Sequence, residues 1–477
     1  MGSWHSRAPA LCAGLLSLLG SNVSRANPPA PPNRIAYAGD LIGVAGDVVV
    51  LGGTGDLLRG RDIQGFAARD GRPLRRSARL ARAFLAQPPR RLLTLGNWLL
   101  GETPRSDGGV TFFDLRADAI RLQLSAQALA HRRSFPPVAL GLPAAVGREQ
   151  DGTVVVVVVA SSRSRCAVTI EAREIKSGSV RWRWSPPGPC WAVTAATGGG
   201  RVFIHAGPSI HAVSLATGKS LWQMPSGCSD APECLTALAT DGRHVGLAIG
   251  HKTLTIFAAN TGAVMSQVPC DVFNPAVTVA DGRACVGGTS LGLAAETTVT
   301  CVNANGRHSW TAKVAGALRN LELEGETLYV AAGGGVRAYD AASGGIRWLF
   351  GGDRVALAHL ADGFRVVLGT DGMGALVLAE GAAPGAPREL TVTGVVSVSP
   401  DYAGAAPPPR RALTIQVAGT SVHPDSGGRY RAVLKLSGGR LAIIACGCRI
   451  CTAPSYIAVD ERSTYEKDLA FNDSCSD

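Results

Sequence analysis

The chain has 477 residues, 46% of them hydrophobic and 17% charged, with a formal net charge of +11. Beyond the N-terminus no segment reaches about 20 uninterrupted apolar residues, which excludes a membrane-spanning helix in the mature protein. The charge is local, since residues 59 to 91 hold ten Arg against Asp62 and Asp70, and the rest of the mature chain is nearly neutral.

In chain order, residues 1–26 read as a signal peptide: Arg7, an apolar run from Leu11 to Leu19, and small residues Ser24 and Ala26 before the cleavage point. Cys12 lacks the flanking residues of a lipid-modified cysteine. The mature protein is expected to be exported, to periplasm or medium, and soluble, which argues against nucleic acid as a partner. Residues 27–39 form a Pro-rich extended leader. In the basic stretch Arg75, Arg76, Arg79 and Arg82 form a candidate binding patch for anionic lipid or polysaccharide, with a solvated insertion as the plainer reading.

From residue 40 to 380 one unit recurs: a turn, an apolar strand, a second strand, a Gly turn, then a strand often carrying Trp. The clearest copies run from Arg201 to Trp222 and from Glu326 to Trp348; weaker ones end at Trp182, Gly262 and Trp310. Gly178, Gly218, Gly306 and Gly344 are expected to take positive φ in the turn. Asp340, and Glu174 in a related copy, are expected to accept from backbone N–H groups ahead. Four residues after each glycine Trp182, Trp222, Trp310 and Trp348 fall on the next strand, where each is expected to bury a wide face against the adjoining unit.

This pattern resembles the PQQ-like repeats of quinoprotein-like β-propellers. The resemblance implies an all-β fold, and the strand-pair spacing gives eight four-stranded blades, with seven as the alternative. It also implies a choice of activity. Quinoprotein dehydrogenases hold PQQ between a Trp face and, in many members, a disulfide of adjacent Cys, beside a Ca²⁺ bound by acidic and amide groups. This chain has neither a Cys-Cys pair nor a recognisable calcium set, so no cofactor, metal or catalytic residue is assigned. The eight-blade count also resembles the outer-membrane-protein assembly propellers, scaffolds that dock a β-barrel insertase. This chain departs from them in lacking a lipid anchor and in having a cysteine-rich tail.

Residues 381–389 have linker composition, and 390–477 change to a different β pattern. Asp425-Ser-Gly-Gly428-Arg-Tyr430 before a strand resembles the turn of carboxypeptidase-regulatory-like, transthyretin-like β-sandwiches, which implies an accessory module without catalysis. Cys446, Cys448, Cys451 and Cys475 read as two disulfides stapling the tail, with a zinc site as the alternative. Cys228 with Cys234, and Cys285 with Cys301, are the other candidate pairs; Cys166, Cys190 and Cys270 have no assigned partner.

Two enzyme-like motifs fall in the wrong context. Gly288-Thr-Ser-Leu-Gly292 lies between two strands with no helix to follow, and the Gly52–Gly55 loop is not followed by a βαβ unit. The reading is therefore an exported, monomeric, non-catalytic propeller. Its faces bind protein or an envelope polysaccharide or lipid. The alternatives are a PQQ-dependent oxidoreductase and a carbohydrate-binding or lyase propeller.

Overall fold

A computed structural model describes residues 33–36, 40–45, 47–52, 63–74, 91–95, 98–102, 110–114, 119–124, 153–162, 165–174, 177–187, 193–228, 235–289, 296–306, 309–360, 363–369, 374–379, 382–399, 413–446, 452, 455–459 and 462–472. Among these residues every regular element is a strand. β-Branched and aromatic side chains at alternate positions fit a pleated surface, and glycines at the turns reverse the chain within a few residues.

After β1 (Asn33–Ala36), the first sheet comprises β2 (Asp40–Ala45), β3 (Val48–Gly52) and β4 (Gln64–Ala67). The second comprises β5 (Arg91–Leu95), β6 (Trp98–Glu102), β7 (Val110–Asp114) and β8 (Ala119–Leu124). The third has β9 (Thr153–Ser162), β10 (Arg165–Glu174) and β11 (Val180–Trp184). The fourth has β12 (Thr194–Gly198), β13 (Arg201–Ala206), β14 (Ser209–Ser214) and β15 (Ser220–Pro225), and the fifth β16 (Thr236–Thr240), β17 (His244–Ile249), β18 (Lys252–Ala258) and β19 (Val264–Cys270). The sixth has β20 (Phe273–Ala280), β21 (Arg283–Thr289), β22 (Glu296–Asn303) and β23 (Ser309–Ala315). The seventh has β24 (Leu318–Glu324), β25 (Thr327–Ala332), β26 (Gly335–Asp340) and β27 (Ile346–Gly351). The eighth has β28 (Val355–Leu360), β29 (Gly363–Gly369) and β30 (Gly374–Ala379), and β1 returns to pair antiparallel with β30, Asn33 opposite Val377.

Each sheet is an antiparallel meander, and first strands of successive sheets lie side by side: β12 by β16, β16 by β20, β20 by β24, β24 by β28, β28 by β2. That arrangement is a β-propeller, with the sheets as blades. The core is a series of apolar layers between neighbouring blades. Phe203 and Phe257 meet between the fourth and fifth, and Leu323, Val330 and Cys301 between the sixth and seventh. Two findings shift the expected boundaries. Asn33–Ala36, inside the stretch read as a leader, is a blade strand, and Arg388 and Glu389, read as linker, already pair with Leu436 and Lys435.

The tail holds β31 (Arg388–Ser399), β32 (Thr414–Val417), β33 (Thr420–Val422), β34 (Arg429–Leu436), β35 (Arg440–Cys446), β36 (Ser455–Ala458), β37 (Thr464–Glu466) and β38 (Leu469–Asn472). One sheet runs β34-β31-β37, with β38 also on β31, and the other runs β33-β32-β35-β36. β34 alternates strictly between exposed and buried residues, as a half-buried strand must. Its inward Tyr430, Ala432, Leu434 and Leu436 share one core with Ile415, Val417, Leu441 and Ile443 of the second sheet.

Candidate functional site: the two ends of the propeller

In an antiparallel meander the turns joining strands one to two and three to four lie at one end of the blade. The two-to-three turns and the links to the next blade lie at the other. The repeat glycines sit at the first, or turn, end with φ of 68° at Gly178, 71° at Gly218, 69° at Gly306 and 75° at Gly344. Trp182, Trp222 and Trp310 each lie flat on the glycine of the following blade. A Cβ on Gly218 would come within 2.7 Å of Trp182, one on Gly262 within 2.8 Å of Trp222, and one on Gly344 within 2.7 Å of Trp310. Each indole N–H then donates to a carbonyl just before that glycine: Trp182 to Leu215 at 2.8 Å, Trp222 to Ala259 at 3.0 Å and Trp310 to Ala341 at 2.9 Å. Trp348 is buried with Tyr329, ring centroids 5.9 Å apart. These rings therefore pack between blades.

At the fifth-to-sixth seam the register position is Ser266, whose Oγ lies 2.8 Å from where a Cβ on Gly306 would stand. There Asp241 adds a polar link to the apolar layer of Leu254, Ile256, Val279 and Val286; its Oδ1 accepts from the N–H groups of Arg243 (2.8 Å) and His244 (2.6 Å). Its Oδ2 lies 3.0 Å from His244 Nδ1 and accepts from Gly282 N–H across the seam at 3.4 Å. Burial pushes the Asp241 carboxyl up, but the bonds from His244, Arg243 and Gly282 outweigh it and hold the group below its ordinary value.

Asp340 caps its turn as expected of it, Oδ1 accepting from Ala342 N–H at 3.1 Å and Ser343 N–H at 2.9 Å. Arg347 donates to Oδ2 at 2.7 Å, and that bond, with those from Ser343, pulls the carboxyl far below its usual range. Glu174 accepts from the Ser177 and Ser179 hydroxyls across its turn.

On the innermost strand of the seventh blade Asn320, Glu322 and Glu324 share the face turned to β28. Asn320 spends both amide atoms on Val355, donating to its carbonyl and accepting from its N–H. Burial pushes Glu322 up to about 7, Glu324 adds to the rise, and the hydrogen bond from Asn320 opposes it. These groups do not make a quinone–calcium site: the Asn320 amide on this face is engaged by the Val355 backbone. The repeat indoles are held against glycine turns instead of facing a cofactor. Among the described residues no three His, Cys, Asp or Glu side chains stand together as metal ligands.

At the link end the fifth and sixth blades present a cluster that the sequence reading did not single out. His251, in the β17–β18 turn with φ 58°, places Nδ1 2.8 Å from Asp271 Oδ1. The ring lies 5.8 Å from that of Phe273, which is 39% exposed although it begins a strand. The ladder between β20 and β21 skips from Phe273 to Ala276, so Asn274, at φ 51°, and Pro275 form a bulge, a device that turns side chains outward. An exposed ring bordered by a carboxylate, an imidazole and a carboxamide has the apolar centre and polar rim of a protein-contact site. The available signal was an aromatic at the start of a first strand, where the preceding two blades have Thr194 and Thr236.

Cys285 and Cys301, directly opposite on β21 and β22, are disulfide-bonded, and Cys228 and Cys446 are also in disulfides. Cys270 is a free, buried thiol, its pKa pushed up to about 11 mainly by burial. Cys234, Cys448, Cys451, Cys475, Ser290 and the patch Arg75, Arg76, Arg79 and Arg82 lie outside the described residues. In the tail, Asp425 caps its turn by accepting from Gly427 and Arg429 N–H, both at 2.8 Å, and buried Tyr430 donates to Lys467 O at 2.5 Å.

Residues 250–383 match the family model described as outer membrane protein assembly factor BamB. No curated protein matches the chain. Among solved structures the chain is similar to BamB from Moraxella catarrhalis, at 16% identity over 60% of this chain and 95% of that one, TM-score 0.35. It is also similar to quinohemoprotein alcohol dehydrogenase ADHIIG from Pseudomonas putida HK5, at 14% identity over 76% and 81%, TM-score 0.45. A third is Sqt1 of Saccharomyces cerevisiae, at 12% identity over 74% and 98%, TM-score 0.47.

Proposed function

We propose that the chain is an exported, non-catalytic, eight-bladed propeller that binds a protein partner through its link end, with a C-terminal β-sandwich of the carboxypeptidase-regulatory-like type as a second module. The observation that carries this reading is the exposed Phe273 beside the His251–Asp271 pair. Phe273 is the aromatic among the exposed large hydrophobic side chains of the described residues, and aromatic anchors of this kind dominate binding at protein interfaces. The family match to an assembly factor, spanning residues 250–383, includes every member of the cluster. The disulfides agree with an oxidising compartment.

The test is site-specific photocross-linking in the native envelope, with the cross-linker at Asp271 or Asn274 and identification of the adduct by mass spectrometry. The expected result is one reproducible protein adduct that Phe273→Ala abolishes while the thermal midpoint is unchanged. Absence of any protein adduct from either position in the folded chain would remove the scaffold reading. Recovery of glycan instead would move the function to the carbohydrate-binding alternative.

A further inference from the structure

The C-terminal domain meets the propeller at the link end of the seventh blade, and the sequence is built for that contact. Gly333-Gly334-Gly335 form the β25–β26 turn, and each would be blocked by a side chain. A Cβ on Gly333 would lie 2.9 Å from Gly419 Cα, one on Gly335 2.7 Å from Ala418 O, and one on Gly334 would overlap the Ala442 methyl. Into this cradle goes the two-residue hairpin Ala418-Gly419 between β32 and β33, both residues at positive φ, 47° and 71°. That is the turn geometry which Asn-Gly or Asp-Gly adopts most readily, so Ala418 is a strained choice.

The contact itself is thin in apolar burial. Among the described residues Leu349 is the one propeller side chain in the C-terminal core. Close packing of the glycine turn and hydrogen bonds make up the rest. Ser437 N–H donates to Leu349 O at 2.8 Å, Gly351 N–H to Gly438 O at 2.9 Å and Ala315 N–H to Gly419 O at 3.1 Å. Arg337 Nη2 donates to Ala418 O at 2.7 Å, but among the described residues Nη1 is buried without an acceptor and no carboxylate is paired with this guanidinium. Ser437 Oγ, on the same junction, is likewise buried without a partner. A buried cation satisfied only by a neutral carbonyl costs more than it returns, and domain contacts lacking a large apolar area open readily.

We infer that the link end of the seventh blade is a hairpin-docking surface which the C-terminal domain occupies in cis and leaves reversibly, so that a partner reaching this sector displaces it. The displacement rests on the scaffold reading above; the docking equilibrium does not.

Amide hydrogen exchange on the full chain reads the equilibrium directly. The amides of Ala315, Gly351 and Ser437 are expected to exchange about tenfold or more faster than those of Val330 and Ala338 inside the same blade, because they open without it. Gly334→Ala, which crowds Ala442, should raise that ratio about tenfold again. Arg337→Met should lower it, since an apolar side chain of similar length removes the unpaired charge. If all five amides exchange at one rate, docking opens only with the blade and the inference fails. It fails equally if Arg337→Met speeds exchange. This second variant keeps the test decisive should Gly334→Ala not fold. The displacement clause is read by photocross-linking at Asn274 in both chains. A higher adduct yield in Gly334→Ala supports it, and an unchanged yield overturns cis occupancy. No adduct in either chain overturns the scaffold reading and leaves the exchange result standing.

Discussion

The seam between the fourth and fifth blades and the seam between the fifth and sixth carry a glycine in the same register and use it in opposite ways. In the first, Gly262 is the floor on which Trp222 lies, and the indole N–H reaches Ala259 O at 3.0 Å. In the second, Ser266 takes the Trp position, and Asp241 spans to Gly282 N–H instead. A flat apolar dock is indifferent to pH and salt. A carboxylate dock is stabilised by hydrogen bonds to its charged form and weakens when that charge is lost. The ring is thus one architecture with two kinds of joint.

The largest break in the comparison should come from Trp222→Ala, which empties the apolar dock and is expected to cost about 3–5 kcal/mol in urea unfolding. Loss of less than about 1 kcal/mol would mean that the glycine turn, not the ring, holds the seam. Next is the staple in the sixth blade, facing the seventh: replacing both Cys285 and Cys301 by Ala should cost about 2–4 kcal/mol. Increased exchange should then be confined to the sixth blade and its neighbours. Ser266→Ala should lie within about 1 kcal/mol of the parent, because a small side chain adds little beside the apolar layer of Leu254, Ile256, Val279 and Val286 that joins these blades.

The pH dependence sharpens the contrast further. Asp241 has a folded pKa below its unfolded value of 3.8, so its contribution is complete above about pH 4 and fades as pH falls through the folded value. Asp241→Asn should remove that acid-side loss, seen as a flatter midpoint-versus-pH curve. Glu322 runs the other way. Its folded pKa, raised from 4.5 to about 7, means that the native state holds its proton longer, so stability declines as pH rises from about 4.5 through 7. Glu322→Gln should match the parent at pH 4 and exceed it at pH 8; equal midpoints at both values would show that the carboxyl is solvated.

How far the sequence was legible follows the same division. The Gly-to-Trp spacing reveals Trp182, Trp222 and Trp310 because both halves of the joint recur at fixed positions, whichever blade they come from. Asp241 is invisible by the same logic: its partner Gly282 lies in the next copy, and nothing recurs to link them. Phe273 and His251 come together only when two loops at one end of neighbouring blades are folded side by side, and loops carry no register. β1 escaped because its pairing partner, β30, lies at the far end of the repeats, and four residues alone have no period. The reason for the glycine triplet at 333–335, positive φ at Gly333 and Gly334 and a second domain pressing on bare backbone, belongs to the tertiary structure.

The pairing of β1 with β30 sets a timetable for the whole molecule. β1 is synthesised before every other described strand and is used last, since Asn33 waits for Val377 before either edge is covered. Until then the growing protein is an open fan with a bare strand at its trailing rim, the geometry most prone to recruit a stranger's edge. Closing this circle, a contact between the chain's far-separated ends and so a slow one, turns a row of separately made sheets into a single object. A chain shortened past Ala36 would be left with its eighth blade one strand short and no clasp.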